Sequence, residues 1–323
     1  AADSDSLFRI PPGGEATRLL EGLANPQALC EDASGTVWLK TGDALLRRVG
    51  ERFEPVPLPD KRRSALDCVI TADGRMWFNR VQGGLTRYEA GAWIDPLPAD
   101  PRGPLRIPTM IAMSGGGLLA YVRSQGLMVI DPPAMRMLWK HADIPGGEVT
   151  LLHRLGSDVI VASLGGLARL REGKVTILRR TDAWLLGITG IAESRDGHVW
   201  LQSRSSIARL RRDVFLRSFD DPALAVEVEL LDFEDGLRAP AAPGYARNSA
   251  VTGGDGRLWF VTTDGVAQIQ PTQLARNPVP PPVRIVGLAY GSQRLRDPTS
   301  ATLPAGVSRI EIDYTALSLS VPS

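Results

Sequence analysis

Apolar and polar residues alternate over runs of four to six positions along most of the chain, and Gly, Asp and Ser bound the runs. Period two with turn residues at both ends predicts half-buried antiparallel strands and not helices. The runs follow a schedule of roughly 40 residues. Gly35-Thr-Val-Trp38, Asp73-Gly74-Arg-Met-Trp77, Asp196-Gly197-His-Val-Trp200 and Asp255-Gly256-Arg-Leu-Trp259 are the clear copies. Gly117-Leu-Leu-Ala120 and Ser157-Asp-Val-Ile160 are degenerate ones, so the slots fall at 38, 77, 120, 160, 200 and 259. Each copy continues into a second run: Leu45-Leu-Arg47, Gly84-Leu-Thr-Arg87, Gly126-Leu-Met-Val129, Gly166-Leu-Ala-Arg169, Ile207-Ala-Arg209 and Gly265-Val-Ala-Gln268.

Four strands per repeat with a Gly/Trp signature predict an all-β fold, a β-propeller whose blades bury their faces against one another. A β-sandwich has no reason to repeat Gly-x-x-Trp on a fixed period. Five units look complete between about 28 and 232. Leu7–Ile10 and Ala16–Leu20 read as third and outer strands without a first pair, and 248–269 reads as three strands without an outer one. The expectation is a seven-bladed propeller with its first blade incomplete in this chain, the missing strands coming from upstream sequence. The alternative is a six-bladed one closed by pairing 16–20 with the last repeat. Asp213–Ala225 reads as a short helix or extended loop in the long final interval. A β-propeller over 1–270 would then be followed, over 271–323, by a proline-rich linker (Asn277-Pro-Val-Pro-Pro-Pro-Val283) and the truncated start of a β-sandwich.

Composition narrows the function classes. With 323 residues, 43% of them hydrophobic, the chain can bury a large core. A net charge of +1 without a basic stripe argues against a nucleic-acid partner. No run of 18 apolar residues exists, so no segment is expected to span a membrane. Ala1-Ala-Asp-Ser-Asp-Ser6 reads as the start of a processed or trimmed segment. Cys30 and Cys68 sit one position apart relative to their tryptophans. Alternation then points them to opposite faces, which predicts two small core residues without a disulfide.

Glu31-Asp-Ala-Ser-Gly-Thr-Val-Trp-Leu, Asp255-Gly-Arg-Leu-Trp-Phe-Val-Thr-Thr-Asp-Gly-Val and Gly84-Leu-Thr-Arg resemble the two-component regulator propeller (Reg_prop) repeat. Phe233-Glu-Asp-Gly-Leu is similar to the connection before that family's last blade. Pro280-Pro-Pro-Val-Arg-Ile and Arg309-Ile-Glu-Ile-Asp-Tyr-Thr-Ala-Leu-Ser-Leu resemble the opening of the triple-tyrosine (Y_Y_Y) immunoglobulin-like domain. The resemblance implies a periplasmic, ligand-sensing region of a bacterial receptor, followed in that family by a membrane helix and a histidine kinase or diguanylate cyclase. It supplies no shared catalytic residues.

The residues themselves predict no enzyme and no cofactor. His141, His153 and His198 fall in different repeats without partners at metal-ligand spacing. Gly-rich stretches such as Ser114-Gly-Gly-Gly117 precede no helix that would hold a phosphate. Counting back from each turn places Gln27, Asp67, Thr109, Thr150, Thr189 and Asn248 near the mouth of a central tunnel. That ring has one carboxylate, too few oxygen ligands for catalytic calcium and no carboxylate pair for glycoside chemistry. Binding is the expected role. Arg80, Arg123 and Arg204 follow their slot strands on one face, Lys40 ends its own, and Trp184 and Tyr245 fall in connections on that face. Flat aromatic area beside guanidinium and amide groups suits a small polar ligand or glycan. The predicted ligand residues are Arg80, Arg123, Trp184, Arg204, Tyr245 and Asn248. A homodimer through the C-terminal region is the competing role.

Overall fold

The computed structural model describes residues 5–11, 14–58, 65–80, 83–97, 103–180, 182–237, 239–242, 247–274, 283–296, 298 and 300–316. It divides into two compact units: Ala1–Phe233 with Leu237–Pro271, and Glu234–Gly236 with Thr272–Ser323. The described residues form an all-β fold of antiparallel sheets with one α-helix, Arg212–Arg217, and a few short 3-10 turns.

The first unit opens with a hairpin of β1 (Leu7–Arg9) and β2 (Thr17–Leu20). Sheet 1 contains β3 (Ala28–Glu31), β4 (Val37–Lys40), β5 (Leu45–Val49) and β6 (Arg52–Val56). Sheet 2 contains β7 (Ala65–Ile70), β8 (Met76–Arg80), β9 (Leu85–Glu89) and β10 (Ala92–Ile94). Sheet 3 contains β11 (Thr109–Ala112), β12 (Leu118–Val122), β13 (Gly126–Asp131) and β14 (Ala134–Lys140). Sheet 4 contains β15 (Val149–Leu155), β16 (Asp158–Ser163), β17 (Gly166–Arg171) and β18 (Lys174–Ile177). Sheet 5 contains β19 (Gly190–Glu193), β20 (His198–Gln202), β21 (Ile207–Arg211) and β22 (Glu229–Leu231), with the helix between its last two strands. Sheet 6 has β23 (Ala250–Thr252), β24 (Leu258–Thr262) and β25 (Gly265–Ile269). Each sheet pairs its strands in chain order. Among the described residues β2 pairs with β1 and not with the last repeat, so the strand exchange of the six-sheet alternative is not found there.

The Asp-Gly turns explain the repeat signature. Gly35, Gly74, Gly197 and Gly256 share φ near +80°, between 79 and 86, in the left-handed region that only glycine adopts without strain. Each closes a turn onto the carbonyl three residues back, as in Gly74 N–H to Thr71 O at 2.8 Å. In three of the four, the tryptophan three residues on is held by the side chain six positions before it. Trp38 Nε1 donates to Asp32 at 2.9 Å, Trp77 Nε1 to Thr71 at 3.4 Å and Trp200 Nε1 to Ser194 at 2.8 Å. Directly across from these rings stand Arg47, Arg87 and Arg209. Their guanidinium carbons lie 6.0, 5.2 and 5.3 Å from the ring centroids.

Burial is concentrated between consecutive sheets. Trp38 packs with Phe78 and Met76 of sheet 2, and Trp77 with Met110 and Leu118 of sheet 3. Leu119 and Tyr121 pack with Leu152 and Val161 of sheet 4. Ile160 packs with Ile191 and Leu201 of sheet 5, and Trp200 meets Phe260 of sheet 6. The face that carries the tryptophan in one sheet therefore meets the opposite face of the next.

That rule corrects two expectations. Ala120 faces back toward Trp77, so it is not the slot residue of sheet 3. The left-handed turn glycine there is Gly116, and three residues on stands Leu119. Cys30 and Cys68 form a disulfide with Cα atoms 6.2 Å apart. They do lie on opposite faces of their own sheets, Cys30 beside Trp38 and Cys68 beside Phe78. Those are the two faces that meet, so the alternation that seemed to separate the thiols brings them together.

The second unit contains β26 (Val283–Tyr290), β27 (Gln293–Arg296) and β28 (Ile310–Ala316), with β26 in the centre. Ile285, Ile310, Ile312 and Tyr314 are exposed on it. Most of the predicted proline linker lies outside the described residues.

Candidate functional site

The second strand of every sheet ends at the same edge as the first strand begins, because the two are antiparallel. The loops after the second strands therefore share one end of the stack with the connections into the first strands. Backbone bonds tie them together: Gly84 N–H to Leu105 O at 2.6 Å, Arg123 N–H to Arg106 O at 2.8 Å and Ala241 N–H to Arg204 O at 3.0 Å.

Arg80, Arg123 and Arg204 sit on this end. The Arg80 guanidinium folds over Gly84 and lies 3.9 Å from Asp95, while Arg123 pairs with Glu148 at 3.3 Å. Arg204 is exposed and has no ion pair among the described residues. Trp184 behaves differently. It sits in the 3-10 turn Ala183–Leu185, is 9% exposed, and packs among Leu151, Ile188 and Phe215. The expected open stacking ring is thus covered, because its connection folds over the apolar layer between sheets 4 and 5. Tyr245 lies outside the described residues.

Asn248 is engaged by the protein itself. Its Oδ1 accepts the N–H of Ile191 at 2.9 Å and of Ala250 at 3.2 Å, and its Nδ2 donates to Ile191 O at 2.8 Å and lies 3.3 Å from His153 Nδ1. Its amide capacity is used. The other residues expected near a tunnel mouth do similar work. Gln27 Oε1 accepts the Ala65 N–H at 2.9 Å, and Thr150 Oγ1 donates to Ile188 O at 3.0 Å. Ser249 Oγ bonds Thr189 Oγ1 at 2.9 Å and Gln202 Oε1 at 2.7 Å. Thr109 is buried. These side chains link consecutive sheets in or beside their first strands, and Asn79, on the second strand of sheet 2, reaches the connection into sheet 3 by donating to Ile107 O at 2.7 Å.

Two titratable groups on first strands stand out. Burial pushes the Asp67 carboxyl up to about 6, and the Arg247 guanidinium partly offsets this. Burial pushes His153 down to about 4, and its Nε2 is buried without a hydrogen-bond partner. Lys40, also buried, is lowered to about 8 by burial, against the pull of Asp43, and its Nζ donates to Thr41 O. Among the described residues no three His, Cys, Asp or Glu side chains are grouped to hold a metal ion. Arg247 and His153 were missed in the sequence; the available signal was their position in or just before a first strand.

No protein-family model matches the chain, and no curated protein matches it. Solved structures do. One described as the extracellular domain of a hybrid two component system from B. thetaiotaomicron aligns with TM-score 0.56 at 12% identity, over 92% of this chain and 47% of that one. A second, described as the extracellular domain of a one component system from B. thetaiotaomicron, gives 0.51 at 13%, over 87% and 45%. Virginiamycin B lyase from Staphylococcus aureus gives 0.55 at 14%, over 79% and 85%. The chain is therefore an all-β protein whose fold resembles the extracellular domains of these two bacterial systems, and it spans about half the length of those two domains. At these identities the likeness is one of fold.

Proposed function

We propose that this chain is the extracytoplasmic ligand-sensing region of a bacterial signalling receptor, a hybrid histidine kinase or diguanylate cyclase. Its sheets are read as blades of a seven-bladed β-propeller with the first blade incomplete, and 283–316 as the start of a triple-tyrosine, immunoglobulin-like sandwich. The observation that carries the reading is the convergence of Arg80, Arg123 and Arg204 on one end of a stack whose likeness to a sensor domain extends over 92% of the chain. The Cys30–Cys68 disulfide supports a periplasmic location, since such bonds persist in oxidising compartments.

The ligand is read as a small polar molecule or glycan, held at that end by Arg204 with Arg80 and Arg123 beside it. Trp184, in the apolar layer beneath its connection, and Asn248, tied to Ile191, serve that end by holding its loops in place; Tyr245, outside the described residues, remains a ligand residue by sequence alone. No turnover is proposed. The amides and hydroxyls nearest the first strands are spent on inter-sheet bonds, which favours a rigid receptor over a catalytic centre. A second reading, a homodimer platform, is favoured by the exposed Ile285, Ile310, Ile312 and Tyr314 of the second unit.

A thermal-shift screen against oligosaccharides and small organic acids tests the sensing reading. A ligand should raise the midpoint, and Arg204→Ala should weaken its binding by about 1 kcal/mol or more. A ligand recovered chemically altered, or a stable dimer that responds to no ligand, would overturn it.

A further inference from the structure

The Asn248 amide has one orientation open to it. Its Oδ1 accepts the backbone N–H of Ile191 at 2.9 Å and of Ala250 at 3.2 Å, and its Nδ2 donates to Ile191 O at 2.8 Å. Turning the amide over would set an NH2 against two N–H groups, so Nδ2 is the atom that lies 3.3 Å from His153 Nδ1. An NH2 only donates. His153 Nδ1 is therefore the acceptor, and the proton of the neutral ring sits on Nε2, which is buried without a partner among the described residues. The ring is held in one tautomer, in a place that suits only its neutral form.

Protonation reverses that fit. An imidazolium donates from both nitrogens, so Nδ1–H would meet the Asn248 NH2 donor to donor while Nε2–H stays buried without an acceptor. The charged groups on the elements packed around the ring are engaged elsewhere. Arg154 donates to Ala112 O at 2.7 Å, Asp158 pairs with Arg171 at 2.6 Å, Glu193 pairs with Arg212 at 2.9 Å, and Arg247 has Asp67 as its electrostatic partner. Burial accordingly sets the direction in which the proton affinity of His153 moves.

Asn248 also stands at one end of a line of hydrogen bonds. Its neighbour Ser249 accepts the Val261 N–H at 2.8 Å, Val261 O accepts the Ala242 N–H at 3.2 Å, and the Ala241 N–H donates to Arg204 O at 3.0 Å. The line thus joins the His153 ring to the backbone of Arg204 at the proposed ligand end. Ser249 keeps its own bonds to Thr189 and Gln202, so losing the Asn248 contact shifts the connection without dismantling sheet 6.

The geometry points to His153 as a positioning residue through which acid regulates the ligand end: the neutral ring holds Asn248 and the connection into sheet 6, and the imidazolium releases Asn248 and shifts the backbone at Arg204. An extracytoplasmic domain meets the acidity of its surroundings, and a buried imidazole facing a fixed donor converts that acidity into movement. The regulation rests on the sensing reading for its purpose. The device itself needs no ligand.

Amide NMR of residues 1–323, from neutral pH down past 4, tests it in the absence of any ligand. The N–H signals of Ile191, Ala250 and Ala241 should shift together and reversibly with one midpoint near 4, the value to which burial lowers His153, while tryptophan fluorescence still reports a folded protein. His153→Gln keeps an acceptor for Asn248 and cannot titrate, so its amides should show no step. Asn248→Ala should uncouple Ala241 from the His153 titration. A His153 titration that leaves Ile191 and Ala250 unmoved would overturn the latch, and steps confined to those two would overturn the link to Arg204. A step that persists in His153→Gln, or that comes only with loss of the folded signal, would overturn the inference in favour of another group or of acid unfolding. A ligand screen without a hit bears on the sensing reading alone, and a missing step strikes the regulation alone.

Discussion

The indole Nε1–H of Trp200 donates to Ser194 Oγ at 2.8 Å, and both groups are buried at the junction of sheets 5 and 6. The bond joins the turn before β20 to the ring that packs on Phe260, with centroids 6.5 Å apart. A local turn thereby sets the position of a long-range contact.

Trp200→Ala should cost about 3–5 kcal/mol, the usual loss for a fully buried aromatic. Ser194→Ala should cost about 1–2 kcal/mol, since it leaves a buried N–H without its acceptor. Trp259→Ala should cost clearly less than Trp200→Ala, because Trp259 is half-buried and Gly253 supplies no side-chain acceptor six positions before it. Urea unfolding midpoints check all three. Equal losses at Trp200 and Trp259 would contradict the burial difference.

Reduction should destabilise the first unit. Cys30 and Cys68 are 38 residues apart, and a disulfide closing such a loop typically contributes about 2–4 kcal/mol. Denaturant unfolding with and without reductant measures this, and the Cys30→Ser/Cys68→Ser variant should match the reduced protein. Alkylation of the unfolded, unreduced chain should add no label. Any uptake before reduction would show the thiols to be free.

The pH response should be a near cancellation that single substitutions expose. Asp67 is raised in the fold from 3.8 to about 6, so its contribution is full below pH 4 and is lost as pH rises toward 6. His153 is lowered from 6.5 to about 4, so its contribution is present above pH 6.5 and is lost as pH falls toward 4. Each shift corresponds to roughly 3 kcal/mol. Asp67→Asn should make stability rise from pH 4 to 6.5, and His153→Gln should make it fall from pH 4 to 6. Thermal midpoints across that range check the signs. Parallel profiles for the two variants would refute the assignment.

Arg169 should matter more than its ion-pair partner. It is 4% exposed, bonds Asp220 at 2.6 and 2.9 Å and Leu216 O at 2.9 Å, and lies 5.5 Å from the Phe219 ring centroid. Arg169→Ala removes all of these and should cost about 2–4 kcal/mol. Asp220 has an exposed side chain, so Asp220→Ala should cost distinctly less, as measured by urea unfolding. Equal costs would mean that the pair, and not the buried guanidinium, holds the helix end.

Much of the local architecture was legible because its determinants are local. Period-two alternation, turn glycines and the tryptophan schedule led to the strand pairs of sheets 1 to 5, to the unpaired β1–β2 hairpin and to the three-stranded sheet 6. Leu119 was missed because Ser114-Gly-Gly-Gly117 offers three glycines, and only the backbone tells which one is the left-handed turn residue. The candidate site was legible in part. The loop arginines follow from strand ends, but the burial of Trp184 and the engagement of Asn248 depend on what packs over them.

The sequence by itself determined the strands, their turns and their order, since alternation and glycine conformation act within a few residues. Only the tertiary structure decided which faces meet. Stacking the sheets the same way round brings opposite faces together, which joined Cys30 to Cys68 and placed Asp67 and His153 in surroundings that move their proton affinities in opposite directions. Those outcomes depend on neighbours some 38 or more residues away in the chain, and no local pattern specifies the distance at which such neighbours come to rest.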